Sequence, residues 1–363
     1  MSERTIGIGV IGLGFTGCTH VRAYQSAAAA GFPCALLAVA DRSAERLSGR
    51  AFVVGNIDTG GAQAEQLFDP AQVRPYLDPR ELLSDPRVDA VSICTYTDTH
   101  VDLGIAALRA GKHVLVEKPV ATTAAEVRRL ADAAKATGKL CMPAMVMRFW
   151  PEWVWLRQAI IARTYGKPLS ASFQRLGCTP PWTDFYRDTS RSGGALMDLH
   201  IHDADFIRWC FGEPREVVGS GTVDHLTTLY RFAADSGAPA HVTAEGAQNC
   251  SPGFAFRMRY TVVFENATAD CDIARTPKLV LSRDGRAEPV VLPSDAPTNL
   301  NNAARPIAPI SGYDAEVRHF LHAITTGVAN ADLTATIDDA ARTAALLEAE
   351  LRAIQTGTVQ RLG

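Results

Sequence analysis

The sequence predicts an α/β fold in two domains. Residues 1–145 read as a doubly wound parallel sheet, and residues 146–363 as an α+β domain with a mainly antiparallel open sheet. Three observations predict this. Strand-length apolar runs alternate with helical patterns as far as Ala144, which is the mark of parallel βαβ units. A glycine-rich loop lies directly between the first strand and the first helix. Past residue 165, strand-like runs follow one another with turn residues between them, which favours antiparallel pairing. A chain of 363 residues is long enough for two cores of this kind.

Ile6–Ile11 reads as a buried strand, and Gly12-Leu13-Gly14-Phe15-Thr16-Gly17 follows at once. A helical pattern then runs through Val21 and Tyr24 to the alanine run Ala27–Ala30. Gly31-Phe32-Pro33 breaks it, and Leu36–Ala40 is a second strand with Asp41 at its end. This strand, glycine loop, helix, strand and acid stand in the order of a dinucleotide-binding Rossmann unit. Gly12 permits the tight turn. Gly14 lets backbone approach a pyrophosphate at the helix N-terminus that Phe15 and Thr16 open, and Gly17 permits close helix–strand packing. Asp41 is placed to accept hydrogen bonds from the adenosine ribose, so NAD is favoured over NADP by charge. Arg42 pulls the other way, because a guanidinium there suits an adenine face or a phosphate; NADP stays open as the alternative.

Residues 52–75 read as an irregular insertion, a loop plus a short helix. Pro79–Leu83 is a short helix and Val88–Thr95 a strand with a polar end. Thr99–Ala110 is helical and closed by Gly111. His113–Val116 is a strand leading into Glu117-Lys118-Pro119, Thr122–Thr137 a helix ended by Gly138, and Leu140–Ala144 a strand. Ligands bind beyond the carboxyl ends of such strands, where the glycine loop, Asp41, Thr95 and Glu117–Pro119 all fall. In the second half, Trp153–Ala162 is helical and Leu169–Leu176 is a strand. Glu216–Val223, Leu226–Phe232, Ala240–Gly246, Met258–Phe264 and Ala267–Ile273 read as successive strands, with Leu279–Ser282 and Pro289–Leu292 as two more. Ser294–Pro309, rich in Pro, Asn and Ala, reads as a loop.

The composition is that of an ordinary globular protein, 47% apolar and 21% charged, with a net charge of −3 that carries no nucleic-acid footprint. The eight cysteines form no CxxC pair and no zinc spacing, so reduced thiols are expected. No apolar run reaches membrane length, and the first residues lack the form of a signal peptide. A cytoplasmic protein with no membrane contact is the expectation.

Ser192–Asp205 carries the densest chemistry. Behind a glycine pair, Asp198, His202 and Asp205 fall at i, i+4 and i+7 and share one face of a helix. Burying such a stripe is costly unless its members are paired. A solvated helix face, or an Asp–His pair beside the core, gives the same spacing. His200 and His202 form a His-x-His pair, but i and i+2 face apart on a helix, so no metal site is expected.

At these motifs the chain resembles the glucose–fructose oxidoreductase/inositol dehydrogenase (Gfo/Idh/MocA) family. The resemblance rests on Gly12-x-Gly14-x-x-Gly17, on Ala110–Pro119 with its Glu117-Lys118-Pro119 end, on Arg148-Phe149-x-Pro151, and on Gly193–His202. The tail agrees, with Tyr313-x-x-Glu316-x-x-x-Phe320 opening one helix and an alanine-rich last helix after it, which is able to pack back on the first domain. The resemblance implies that Lys118, Asp198 and His202 line an active site. It also implies that nicotinamide lies beside Glu117-Lys118-Pro119, and that Lys118–Pro119 is a candidate cis peptide. The chain departs from the family at two places. Thr95-Tyr96-Thr97 replaces the usual Thr-Pro-Asn before His100, so the cofactor contacts of Thr95, Tyr96 and His100 carry over in part. His200 stands where the family has glycine.

The implied activity is hydride transfer between nicotinamide and a secondary alcohol or ketone of a sugar, sugar derivative or cyclic polyol. An imidazole suits proton transfer near neutrality, which makes His202 the general acid/base. Lys118 polarises the substrate oxygen, and Asp198 orients His202 or binds a neighbouring hydroxyl. Lys118 and His202 are expected within several ångströms of each other, sharing one oxygen. Asp205 is expected to be structural. Arg148 either binds substrate or pairs with an acid. Trp182, in the polar–aromatic loop Thr179–Arg187, suits a sugar ring but also fits an ordinary buried loop tryptophan. A non-catalytic NAD-binding sensor or assembly subunit is the rival function. A homodimer or homotetramer through the C-terminal sheet is the expected assembly.

Overall fold

A computed structural model describes residues 4–50, 66–180, 184–292 and 311–362. Ile6–Ile11 (β1) is buried along its whole length, as a strand covered on both faces must be. Phe15–Ala29 (α1), Cys34–Ala40 (β2), Arg74–Tyr76 (β3), Pro79–Leu83 (α2), Ala90–Ile93 (β4), Thr97–Arg109 (α3), His113–Glu117 (β5), Ala124–Thr137 (α4) and Cys141–Ala144 (β6) follow. The six strands pair in parallel in the order β3-β2-β1-β4-β5-β6. The reversal beside β1 is the switch point at which doubly wound sheets bind ligands. Local chemistry sets the boundaries. Asp78 caps α2 by accepting from the Arg80 N–H at 2.9 Å, with Pro79 behind it. Thr123 caps α4 by accepting from Glu126 N–H, and Gly138 ends it in the left-handed region at φ 66°.

β3 was not expected, since it lies inside the stretch read as irregular. Its central Pro75 has no N–H to donate, which the outermost strand of a sheet tolerates. Of the rest of that stretch, residues 66–73 are loop and turn, and residues 52–65 lie outside the described residues, as do Ser294–Pro309 and Trp182.

The second sheet is built from Pro168–Leu176 (β7), Glu216–Thr222 (β8), His225–Arg231 (β9), His241–Ala247 (β10), Arg257–Phe264 (β11), Thr268–Asp272 (β12), Leu279–Arg283 (β13), Arg286–Pro289 (β14) and Gln360–Arg361 (β15). Their order is β14-β13-β12-β11-β7-β10-β9-β8-β15. All neighbours are antiparallel except β7 and β10, which run together from Ser170↔His241 to Leu176↔Ala247. β14 comes three residues earlier than the sequence suggests. Asp284 and Gly285, at φ 51° and 72°, form the two-residue turn whose twist suits a hairpin, so the chain reverses at once after β13. Pro151–Ile161 (α5), Thr189–Ser192 (α6) and Ile201–Phe211 (α7) accompany this sheet.

The chain forms two compact units, each drawn from two stretches of sequence. The first is Met1–Val146 with Tyr313–Ala344, and the second is Met147–Gly312 with Ala345–Gly363. Gly312–Thr326 (α8) therefore belongs almost wholly to the first. Ile337–Thr356 (α9) gives its opening turns to the first and the remainder to the second. Among the described residues no helix is long and apolar enough to cross a membrane.

Candidate active site

In the first unit the glycine loop has the geometry its spacing suggests. Gly12 sits at φ 89°, and a Cβ there would lie 2.6 Å from the Cys94 carbonyl oxygen. A Cβ on Gly17 would lie 1.8 Å from the Gly12 carbonyl oxygen, so only glycine lets α1 start this close to the loop. A Cβ on Gly14 would meet nothing within 4 Å. That space stands over the N-terminus of α1, which has no side-chain cap, so its first N–H groups are left for an anion. Phe15 and Thr16 form the first turn, both half-buried.

Asp41 closes the cradle at the end of β2. Its Oδ2 accepts from the Leu13 N–H at 2.7 Å and its Oδ1 from the Ser43 N–H at 2.8 Å. Arg46 Nη1 also approaches Oδ2 at 3.5 Å, so Oδ1 keeps the further lone-pair direction, which suits a ribose hydroxyl. Arg42 lies over the Tyr96 ring at 5.4 Å to the centroid, so the loops after β2 and β4 meet in a flat cation–aromatic pair suited to an adenine face. Thr95 Oγ1 pairs with Thr99 Oγ1 at 2.7 Å. His100 supports the site from below. Its Nδ1 lies 2.8 Å from the Pro119 carbonyl oxygen and its Nε2 3.0 Å from that of Thr95, so the buried ring ties two ligand-side loops together. Burial pushes its pKa down, against the pull of the carbonyls. The donor set and the empty space at Gly14 fit a dinucleotide.

Glu117-Lys118-Pro119 ends β5, with Lys118–Pro119 cis. Glu117 Oε2 accepts from the Lys118 N–H at 3.1 Å, and Oε1 meets His20 Nε2 at 3.1 Å. His20 Nδ1 meets Ser92 Oγ at 3.1 Å, and Ser92 Oγ meets Tyr24 OH at 2.9 Å. Burial works to raise the Glu117 pKa. The hydrogen bond and charge of His20, with Lys118 and His100 nearby, outweigh it and hold the carboxyl below its usual range. Sequence reading missed this chain of contacts. A histidine and a tyrosine one turn apart on α1 were a usable sign, since both share the face turned to the sheet.

In the second unit the stretch behind the glycine pair is not one α-helix. Leu196–His200 is a π-turn, and α7 begins only at Ile201. Gly193 ends α6 at φ 75°. Gly194, at φ 65°, lies so close to the turn between β8 and β9 that a Cβ would sit 2.8 Å from the Val223 carbonyl oxygen. That oxygen accepts from the Leu196 N–H at 2.9 Å, which pins the start of the π-turn. Two acids of α7 are clamped by buried arginines. Asp203 accepts from Arg175 Nε and Nη2 at 3.2 and 2.9 Å, and Asp205 from Arg148 Nε and Nη2 at 2.8 Å each. These fork-shaped contacts satisfy the charges in place. Arg148, 2% exposed, is thus a buried clamp on α7 rather than a substrate-facing guanidinium. Of the expected stripe, Asp205 points into this clamp. Asp198 is half-buried and His202 is 8% exposed. His200 is fully buried against Tyr230 and Glu350, away from both. Among the described residues no three His, Cys, Asp or Glu side chains cluster as a metal site.

Comparison with known proteins adds the lineage. Residues 6–145 match the oxidoreductase family with an NAD-binding Rossmann fold, and residues 153–270 match the GFO/IDH/MocA C-terminal domain. The chain belongs to the Gfo/Idh/MocA oxidoreductase family. It is 30% identical over 280 residues to an inositol 2-dehydrogenase of Acidothermus cellulolyticus, covering 74% of this chain and 73% of that one. It is 37% identical over 151 residues to a myo-inositol 2-dehydrogenase of Thermotoga maritima, where the match spans 41% of this chain and 44% of the relative. Among solved structures, a probable dehydrogenase from Thermotoga maritima superposes with a TM-score of 0.74 at 25% identity over 98% of both chains. The first unit is accordingly the NAD-binding part of this Gfo/Idh/MocA protein.

Proposed function

We propose that the protein is an NAD-dependent dehydrogenase that oxidises a ring secondary alcohol of a cyclic polyol or sugar, or reduces the matching ketone. The observations that support this reading are a dinucleotide cradle in the first unit and, in the second, a glycine-pinned turn that bears Asp198 and His202. The names of the inositol dehydrogenase relatives support the substrate class. When bound, NAD supplies the hydride acceptor. The protein's part is orientation and proton handling. The His202 imidazole takes the hydroxyl proton, and the Lys118 ammonium donates a hydrogen bond to the oxygen as negative charge develops there. Asp198 holds the imidazole or a neighbouring hydroxyl. Glu117 fixes the Lys118 backbone through its N–H contact. Asp41 reads the ribose and favours NAD over the 2′-phosphorylated cofactor. The exposed alternate positions of β9, His225, Thr227 and Arg231, offer a face on which a second copy would pair.

The test is NAD(H)-linked absorbance on a panel of inositols, aldoses and sugar lactones, for the parent and for His202→Ala. Turnover is expected on at least one ring polyol or sugar. The variant should lose about 10² to 10⁴ of it, the usual worth of general acid–base catalysis, with NAD affinity unchanged. NADH binding without turnover anywhere on the panel would instead favour a sensor or assembly subunit built on the same fold.

A further inference from the structure

We propose that His200 and Glu350 form a positioning pair, a buried contact that fixes the π-turn from which Asp198 and His202 project. The proposal rests on the dehydrogenase reading only for what Asp198 and His202 do. The contact itself is independent of it.

A π-turn is rare and recurs at functional positions, because the extra residue re-aims the side chains around it. Here the residue at the end of the turn is His200, with its side chain fully buried. Its Nε2 lies 2.7 Å from Glu350 Oε2 and 3.0 Å from Tyr230 OH. The same Glu350 oxygen accepts from Thr228 Oγ1 at 2.9 Å. A carboxylate only accepts, so the imidazole proton at this contact sits on Nε2 and is donated to Glu350. Burial, and then the charge of Glu350, push the Tyr230 pKa well up, so its hydroxyl keeps its proton. One carboxylate from α9 thus gathers groups from β9 and from the π-turn.

The backbone makes room for this arrangement. A Cβ on Gly246 of β10 would lie 2.8 Å from the His200 Cβ, so the imidazole enters only because that strand has glycine there. Once His200 is seated, its neighbours have little choice. Residues two positions apart on a helix point about 200° away from each other. Asp198 precedes His200 by two and His202 follows it by two. Seating His200 against β9, β10 and α9 therefore turns both candidate catalytic side chains to the other side of the turn. The cost of losing the anchor is also high, because removing one partner leaves a buried polar group unsatisfied.

The experiment uses the full-length protein with nitrogen-15-labelled histidine, its nine histidines followed by NMR and the His202 ring assigned through His202→Gln. Glu350→Met removes the acceptor for His200, whereas Glu350→Gln keeps a carbonyl oxygen at the same reach. The Met variant is expected to shift the His202 ring signals and to lower kcat by about 10²-fold, the scale of an ångström misplacement, with KM for NAD unchanged. The Gln variant should restore both. If Glu350→Met does not fold, Thr228→Val, which removes one bond to the same oxygen, should move the same His202 signals. A Met or Val variant that melts earlier yet leaves the His202 signals in place would overturn the proposal and reduce the pair to a core contact. Turnover that survives His202→Gln would instead sink the dehydrogenase role of His202, and the ring shifts would still decide the positioning pair.

Discussion

Glu316 carries a carboxyl into the interior of the first unit, and neither of its oxygens has a hydrogen-bond partner among the described residues. Burial first, and the charge of Glu117 second, push its pKa well above the usual 4.5, so it stays protonated in the folded chain. The unfolded chain loses that proton near 4.5, while the folded chain keeps it. Folding is therefore progressively less favourable as pH rises from about 4.5 towards the folded value. Glu316→Gln removes this dependence. Its melting temperature should exceed that of the parent at pH 8, and the gap should close at pH 4. Equal gaps at both values would show that Glu316 is ionised or solvated. In the sequence this residue is legible only as a mark of helix phase, because spacing says which face a side chain takes and nothing of its partners. The same limit hid His20–Glu117 and left open which acid Arg148 pairs with. By contrast, Gly12 and Gly17 were legible because backbone geometry demands glycine there, and Gly14 and Asp41 because a dinucleotide's pyrophosphate and ribose call for them in that order.

At the scale of elements, the strand–loop–helix opening separates two uses of glycine that look identical in a motif. Gly17 is glycine for the fold, since a Cβ would collide with the Gly12 carbonyl oxygen. Gly14 is glycine for the ligand, since a Cβ would touch no protein atom. Gly14→Ala should therefore keep the parent melting temperature and lose NADH binding by fluorescence titration, whereas Gly17→Ala should lower both. Unchanged NADH affinity in Gly14→Ala would mean that the pyrophosphate does not approach there. The βαβ elements were readable because their apolar runs, caps and terminal glycines agree with one another. β3 was not, because three residues around a proline carry no strand pattern. The π-turn was not readable either. Asp198 and His202 keep their separation of four whichever hydrogen-bond ladder the backbone chooses, and that choice is made by contacts with Val223, Tyr230 and Glu350.

At the scale of the whole molecule, fold class and lineage were written in local motifs, whereas which strands the tail helices cover was not. An amphipathic stripe says that a helix is covered, and not by which strands. Residues 313–344 complete the first unit. Val317, Phe320 and Leu321 are fully buried, Arg318 reaches Ser26 at 3.2 Å, and Asn330 bonds the backbone of Lys139 and Cys141 beside the outermost strand β6. This has a consequence for the order of synthesis. A ribosome delivers the whole parallel sheet by Val146, then roughly two hundred further residues before Ala344. At about 5–20 residues per second the nascent sheet waits ~10–40 s with the seat of α8 uncovered. Residues 1–146 made alone should bind a hydrophobic dye and aggregate. The same residues joined to 313–344 through a flexible linker should melt cooperatively and bind NADH. A soluble, cooperatively melting 1–146 fragment would show that the early sheet needs no late partner. Otherwise the newborn chain spends that interval as a client for chaperones, its cofactor cradle present in sequence but not yet closed.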